Sequence, residues 1–328
     1  MPFKSGFVAI VGRPNAGKST LVNLLVGQKV AIVSPKPQTT RNRIQGIVNR
    51  DDAQIVLIDT PGLHKAENAL SRQMMDEAGH ALEGVDILSL IVDAAAGVTP
   101  GDKFTFEWIR RFHGPVFLLL NKLDQVKKPH LLPLIDHYRR EFEFAEIFPI
   151  SALTGEGTAD VMRGWLQHLP EAPPYFPSDQ FTDQPERFLA AEIIREKAIL
   201  STREEVPYAI AVLLDSFEEK QNLIRIRATI YVEREGQKGI LIGKRGEKMK
   251  TIGTEARKEL EAIFGTRIFL ELFVKVQPQW RQSPSIVRQL DWHRQLEQMS
   301  EAQEQAQEQS PGETQESTPG HPRPEGRR

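Results

Sequence analysis

The sequence predicts an α/β protein, a doubly wound and mainly parallel sheet followed by a smaller α+β domain. Three observations carry that prediction. The first half alternates short, nearly continuous apolar runs with amphipathic stretches. A proline-rich break, Leu169-Pro-Glu-Ala-Pro-Pro-Tyr-Phe-Pro177, interrupts the rhythm. Beyond it the pattern becomes helix, strand, strand, loop, helix, strand. The 328 residues are enough for two separate cores.

The strands of the first half are read at Phe7–Val11, Ile44–Asn49, Gln54–Asp59, Ile87–Val92, Val116–Leu120 and Ile147–Ile150. Most lack period-2 alternation, as suits strands covered on both faces. Helical patterns between them include Lys18–Val26, Ser71–Gly79, Asp102–Arg111 and Pro133–Phe142. This order places a ligand site at the strand C-terminal ends. The proline-rich break cannot continue a helix and reads as a stiff linker. After it come a helix around Phe188–Leu200 and strands at Ala209–Ser216 and Leu223–Glu233. The second strand alternates as Ile224, Ile226, Ala228 and Ile230. A Gly/Lys-rich turn, a helix at Thr251–Phe264 and a strand near Arg267–Val276 complete the pattern. The domain boundaries are therefore drawn as 1–170, a linker 171–186, a second domain 187–285 and an extension 286–328. From about residue 300 the chain is Gln/Glu-rich, then Pro/Gly-rich and free of aromatics, and is expected to be disordered.

Composition excludes several classes. With 40% hydrophobic and 26% charged residues the chain reads as an ordinary soluble protein. It has no cysteine, so disulfides and Cys-ligated zinc are excluded, and a reducing compartment fits. The opening apolar stretch is short, runs into a glycine motif and does not read as a secretory signal. No run approaches the roughly 18 apolar residues that span a bilayer; Val85–Val98 is interrupted by Asp86 and Asp93. A net charge of −2 means that any affinity for nucleic acid must come from a local patch.

Gly12-Arg13-Pro14-Asn15-Ala16-Gly17-Lys18-Ser19, followed by Thr20, fits the phosphate-binding pattern G-x-x-x-x-G-K-[ST]. It follows an expected strand and opens an expected helix, the context the motif requires. Backbone N–H groups there curl around phosphate oxygens, aided by the helix N-terminus. Lys18 would reach the β- and γ-phosphates, and the Ser19 hydroxyl would ligate Mg²⁺. Alone, this says nucleotide, not which one.

Asp59-Thr60-Pro61-Gly62 ends an apolar run and is followed by Leu63. An aspartate there can hold the Mg²⁺ shell, and Gly62 can offer its N–H to a γ-phosphate. Read alone, the same tetrapeptide is also good turn chemistry. Asn121-Lys122-Leu123-Asp124 follows another apolar strand. The Asp124 carboxylate can accept from guanine N1–H and the 2-amino group, a pair of donors that adenine lacks. Asn121 would brace the loop, and the Lys122 stem would cover the base. Ser151-Ala152-Leu153 supplies a backbone N–H at Ala152 for guanine O6.

In this order, each just past a strand, the motifs resemble the translation-factor-like class of small GTPases. That resemblance implies GTP/GDP and Mg²⁺ as ligands. It also implies that a threonine in Pro37-Gln-Thr-Thr-Arg41 closes over Mg²⁺ and γ-phosphate. Thr40 is chosen over Thr39, so the expected Mg²⁺ set is Ser19, Thr40 and Asp59. The candidate catalytic set is Lys18, Thr40 and Gly62. Where Ras-type proteins carry a water-orienting glutamine, this chain has Leu63, so hydrolysis needs another device or is slow. By similarity to potassium-activated members of the class, Asn15 is a candidate K⁺ ligand; its alternative is a plain loop spacer.

Gly239–Gly253 is the second informative stretch. Ile240, Leu241 and Ile242 enter the turn Gly243-Lys244-Arg245-Gly246, and a helix with Ala256, Leu260 and Ile263 on one face follows. Residues 238–250 hold five basic side chains (Lys238, Lys244, Arg245, Lys248, Lys250) against Glu247. Loop, element order and basic patch resemble a type II KH domain, whose G-x-x-G loop clamps about four nucleotides of RNA. An apolar groove with Ile242 and Ile252 is expected to take bases. Trp280 is left open between base stacking and packing.

The combined pattern over about residues 5–285 resembles the Era-type family of bacterial GTPases. That resemblance implies binding of the 3′ end of 16S rRNA in the GTP state, no DNA, and a role in small (30S) ribosomal subunit assembly. It also implies a cytoplasmic protein with a peripheral fraction at the inner membrane face. Two readings stay open: a hydrolysing switch, or an assembly module for which GTP is a ligand with negligible hydrolysis.

Overall fold

The computed structural model describes residues 2–289. Chain order in the first half is β1 (Lys4–Val11), α1 (Lys18–Val26), β2 (Ile44–Asn49), β3 (Ala53–Asp59), α2 (Ala69–His80), β4 (Ile87–Asp93), α3 (Gly101–Ile109), β5 (Val116–Asn121), α4 (Leu131–Glu141), β6 (Glu146–Pro149) and α5 (Thr158–His168). The six strands form one sheet in the order β2-β3-β1-β4-β5-β6, parallel except for the antiparallel β2–β3 pair. Every residue of β3 and β5 is buried, the physical reason their sequences do not alternate. Helix α2 starts at a capping box: Ser71 N–H donates to Asn68 Oδ1 (2.8 Å) and Asn68 N–H to Ser71 Oγ (2.8 Å). The sequence reading names no helix at Thr158–His168. In the fold Trp165 of α5 is fully buried, its Nε1–H donating to Ser89 Oγ (3.0 Å).

The proline-rich segment is not a free spacer. Its continuation to Thr182 lies along the outer edge of β2, and Tyr175 and Phe176 meet the Gln54 side chain of β3. Ile47 N–H donates to Phe181 O (2.9 Å), and Thr182 Oγ1 to Gln45 O (2.7 Å). Gln54 Oε1 accepts from Tyr175 and Phe176 N–H. An edge strand leaves unpaired backbone groups; this segment covers them.

The second half contains α6 (Glu186–Leu200), β7 (Ala211–Lys220), β8 (Leu223–Val232), α7 (Glu235–Ile242), α8 (Glu247–Phe264), β9 (Arg267–Val276) and α9 (Pro284–Gln289). β8 lies between antiparallel β7 and parallel β9. A second apolar core, including Ile193, Ile226, Leu241, Ile252, Ala256 and Leu260, joins the helices to one face of this sheet.

Two corrections arise here. The stretch read as a turn after β8 contains a helix, α7. Gly236 and Gly239 lower its propensity, but burial of Leu241 and the Gln237 side chain, which accepts from Glu233 and Arg234 N–H, hold it in place. Helix α8 starts at Glu247, four residues before the sequence reading, directly after Gly246. The extension begins with ordered structure: Val287 of α9 is buried in the first core. The expectation of disorder from about residue 300 concerns residues outside those described. Among the described residues no helix is long and apolar enough to cross a membrane.

Candidate functional site

The loop between β1 and α1 lies at the C-terminal end of the sheet and gathers the expected phosphate and metal ligands. Lys18 is 5% exposed, and its ammonium donates to Arg13 O (2.9 Å) and Gly12 O (3.2 Å). Burial lowers its pKa to about 8, opposed by Asp59. Asp59 is fully buried at the end of β3; burial raises its carboxyl to about 6, opposed by Lys18 and by hydrogen bonds from Ser19 and Thr40. Asp59 Oδ2 accepts from Ser19 Oγ (2.6 Å) and Thr40 Oγ1 (3.4 Å), and the two hydroxyls are 2.9 Å apart. Among the described residues Asp59 Oδ1 has no hydrogen-bond partner. Two hydroxyls and a carboxylate with an unspent buried oxygen suit a hard divalent cation such as Mg²⁺. Thr39 faces elsewhere, its hydroxyl donating to Lys36 O (2.7 Å).

Gly62 is pressed against the phosphate loop. A Cβ there would lie 2.6 Å from Pro14 N and 2.7 Å from Pro14 Cα, so only glycine fits. Thr60 Oγ1 donates to Ile10 O (2.8 Å), fixing the turn through Pro61. Leu63, counted from sequence among the nucleotide contacts, is different. Its side chain is buried in the apolar core, and its N–H is spent on Gly12 O (2.9 Å). An apolar side chain beside α2 gains more from the core than from a polar pocket. Asn15 is exposed, with its amide donating to Pro35 O (2.9 Å). The Arg13 side chain turns away to the Thr99 hydroxyl and lies 4.0 Å from Asp102.

At the base-reading end, Asn121 is buried and bridges two loops: its Nδ2 donates to Ala16 O (2.8 Å) and its Oδ1 accepts from Ala152 N–H (2.8 Å). The Ala152 N–H, read as the donor to guanine O6, is thus engaged within the protein. Asp124 is exposed, and the Ser151 hydroxyl donates to it (2.6 Å), lowering its pKa. That bond orients the carboxylate and keeps it ionised to accept two donors from a base. Lys122 is anchored by Asp93 (2.6 Å), which fixes the direction of its stem. Leu153 is exposed beside this loop, Leu123 is half-buried in the turn after β5, and Gly17 and Thr20 frame the start of α1.

In the second domain, Gly243 (φ 71°) and Gly246 (φ 78°) bound the short loop between α7 and α8. A Cβ on Gly243 would meet Lys248 Cβ at 2.7 Å. Lys244, Arg245 and Lys250 are exposed, and Lys248 is half-buried. The adjoining groove, about 700 Å³, is lined by Ile242, Met249, Lys250, Arg257, Phe269 and Leu272, among others. Ile252 does not line it, being fully buried in the core. Trp280 is also fully buried; its Nε1–H donates to Ala209 O (2.8 Å), so packing is its role and base stacking is excluded.

Residues 7–122 match the model of the 50S ribosome-binding GTPase family, and residues 205–281 match the KH domain. The GTPase Era of Syntrophus aciditrophicus (strain SB) is 53% identical over 293 residues, 89% of this chain and 96% of that protein. The chain belongs to the Era family of GTPases. Two Era crystal structures match with TM-scores of 0.85 and 0.86, each at 44% identity and covering 88% of this chain and 99% of theirs. One is an Aquifex aeolicus Era variant bound to GDP·AlF₄⁻. The other holds MgGDPNP and nucleotides 1506–1542 of 16S ribosomal RNA.

As an Era-family member the chain is a GTPase with a C-terminal KH domain. Sequence reasoning missed several residues of its site. Asp93 positions Lys122. His64 hydrogen-bonds through Nδ1 with Gly62 O (2.6 Å) and through Nε2 with Gln38 (3.2 Å), joining the loop that carries Thr40 to the one that carries Gly62. Phe269 and Leu272 complete the groove from β9. Only the position of Asp93 at the end of a β-strand was a local signal; the other pairings depend on folding.

Proposed function

We propose that this chain is a GTP- and Mg²⁺-dependent switch that grips the 3′ end of 16S rRNA through its KH domain and assists small-subunit assembly. The convergence of Ser19, Thr40 and Asp59 carries the reading, because it brings a loop threonine to the metal position that GTP occupancy would complete. Ser19, Thr40 and Asp59 would hold Mg²⁺, which would neutralise charge developing in phosphoryl transfer. Lys18 holds the β- and γ-phosphates, Gly62 offers its N–H to the γ-phosphate, and Asp124 selects guanine. Lys244 and Arg245 take RNA phosphates, while the groove from Ile242 to Leu272 takes unstacked bases. The relative whose structure holds MgGDPNP and an rRNA segment supports this assignment.

The burial of Leu63 favours a second reading, in which intrinsic hydrolysis is slow and GTP acts chiefly as a ligand, because that side chain orients no water. K⁺, with the Asn15 side-chain oxygen as a ligand, would supply the missing activation; the amide nitrogen of the same side chain donates to Pro35 O (2.9 Å). Multiple-turnover phosphate release in KCl and in NaCl separates the readings: a rise in KCl alone supports K⁺ activation, and negligible release in both supports the ligand-only module. The main proposal is tested by binding of a 3′-terminal 16S rRNA fragment with GDPNP and with GDP. Tighter binding with GDPNP is expected; equal binding overturns the switch.

A further inference from the structure

The segment carrying Thr40 is tied to the second domain as well as to the first. Val33 N–H donates to Glu196 Oε1 (2.9 Å), and Lys29 reaches Glu196 (2.5 Å) and Glu259. The residues on either side of Thr40 are tied down in the same way. Arg195 of α6 donates from Nη2 to Thr39 O (2.5 Å). Arg41 donates to Ile210 O (2.8 Å) and Tyr208 O (3.3 Å), with its guanidinium 5.4 Å above the Trp280 ring.

This arrangement is costly unless it has a task. Arg195 is only 2% exposed, and its charge is met by Glu192 through Nε (2.7 Å) and Nη2 (2.5 Å). Arg41 is buried with carbonyls as its hydrogen-bond partners, and burial drives its pKa well down. Taking a guanidinium out of water costs several kcal/mol before compensation. Its planar fork, however, holds two carbonyls in a fixed geometry as a flexible lysine does not. The Arg41 fork on Ile210 O and Tyr208 O, and one N–H of the Glu192-paired Arg195 on Thr39 O, fix the backbone on either side of the threonine and so aim its hydroxyl.

We infer that Arg195 and Arg41 are positioning residues that hold Thr40 in its metal-facing orientation, so that closure over Mg²⁺·GTP and docking of the KH domain are a single event. The inference rests on the switch function proposed above and names its coupling contact. Linkage then works in both directions: the γ-phosphate favours the docked domain, and the docked domain favours the triphosphate by the same factor. GDP, which has no γ-phosphate for Thr40 to cover, is bound without this contribution.

The test uses the full chain carrying Glu192→Gln together with Arg195→Met, which removes the fork without leaving a buried carboxylate unpaired. Affinities for fluorescent GDPNP and GDP are measured across a Mg²⁺ titration. GDPNP affinity is expected to fall by about tenfold, with half-saturation moving to higher Mg²⁺, while GDP affinity stays within about twofold. A structural role alone would weaken both nucleotides together. Arg41→Lys, which retains the charge but loses the fork, is the second variant and is expected to show a smaller shift in the same GDPNP-to-GDP ratio. If both folded variants keep the parent's ratio and Mg²⁺ half-saturation, the inference is overturned. If the unmodified protein itself binds no guanine nucleotide with Mg²⁺, the underlying function fails instead, a result distinct from the first.

Discussion

The nucleotide pocket and the RNA groove solve recognition in opposite ways. In the pocket almost every polar group is committed before a ligand arrives: Asn121 bridges two loops, Ser151 orients Asp124, and Asp59 gathers two hydroxyls. In the groove, the side chains of Lys244, Arg245, Lys248 and Lys250 have no hydrogen-bond or ion-pair partner among the described residues. The pocket is preorganised, so it discriminates through unpaired groups left by a wrong ligand. The groove offers unpaired charge beside an apolar floor, which suits a flexible strand held through phosphate neutralisation.

That contrast can be broken most sharply at Asp124. Asp124→Asn is expected to lower GTP affinity by on the order of a thousandfold and let XTP take its place, because the amide mispairs with guanine. A fluorescent-nucleotide titration measures this; retained GTP affinity would remove the guanine assignment. The double change Lys244→Asp and Arg245→Asp comes next. RNA affinity should drop by about a hundredfold while GTP affinity moves less than about twofold. Filter binding reads the first quantity, and surviving RNA affinity would remove the clamp assignment. Raising salt from about 50 to about 200 mM should weaken RNA binding by about tenfold and GTP binding far less, since buried charges are poorly screened. Equal loss in both would mean the pocket is not preorganised as described. Met249→Ala, which shortens the groove floor, should weaken RNA binding by about fivefold. The smallest effect on RNA is expected from Trp280→Phe, where affinity is unchanged and stability falls by about 1 kcal/mol with the lost bond to Ala209 O. A chemical-denaturation midpoint checks the stability term.

How legible these regions were from sequence follows from the range of the forces involved. The phosphate loop, Asp59–Gly62, Asn121–Asp124 and Gly243–Gly246 are contiguous, and each sits where a strand or helix ends. Their chemistry belongs to the local backbone, which a short motif encodes. Leu63 and Ile252 misled because a residue's neighbours in sequence do not say which way its side chain faces at the end of an element. Both lie in apolar cores. The helix Glu235–Ile242 was hidden by two glycines and rescued by burial.

From the chain alone came the sheet-and-helix order, the guanine and phosphate motifs, and the basic loop of the second domain. Each is written in residues close enough together to share one turn or one strand. Folding alone decided that Arg195 holds Thr39, that Arg41 reaches Ile210, that the proline-rich segment seals β2, and that Trp280 is packed away from any base. Those partners are separated by 71 to 169 positions in the chain. No periodicity or spacing encodes such pairs; they exist because two cores and the backbone between them bring distant atoms within hydrogen-bond reach.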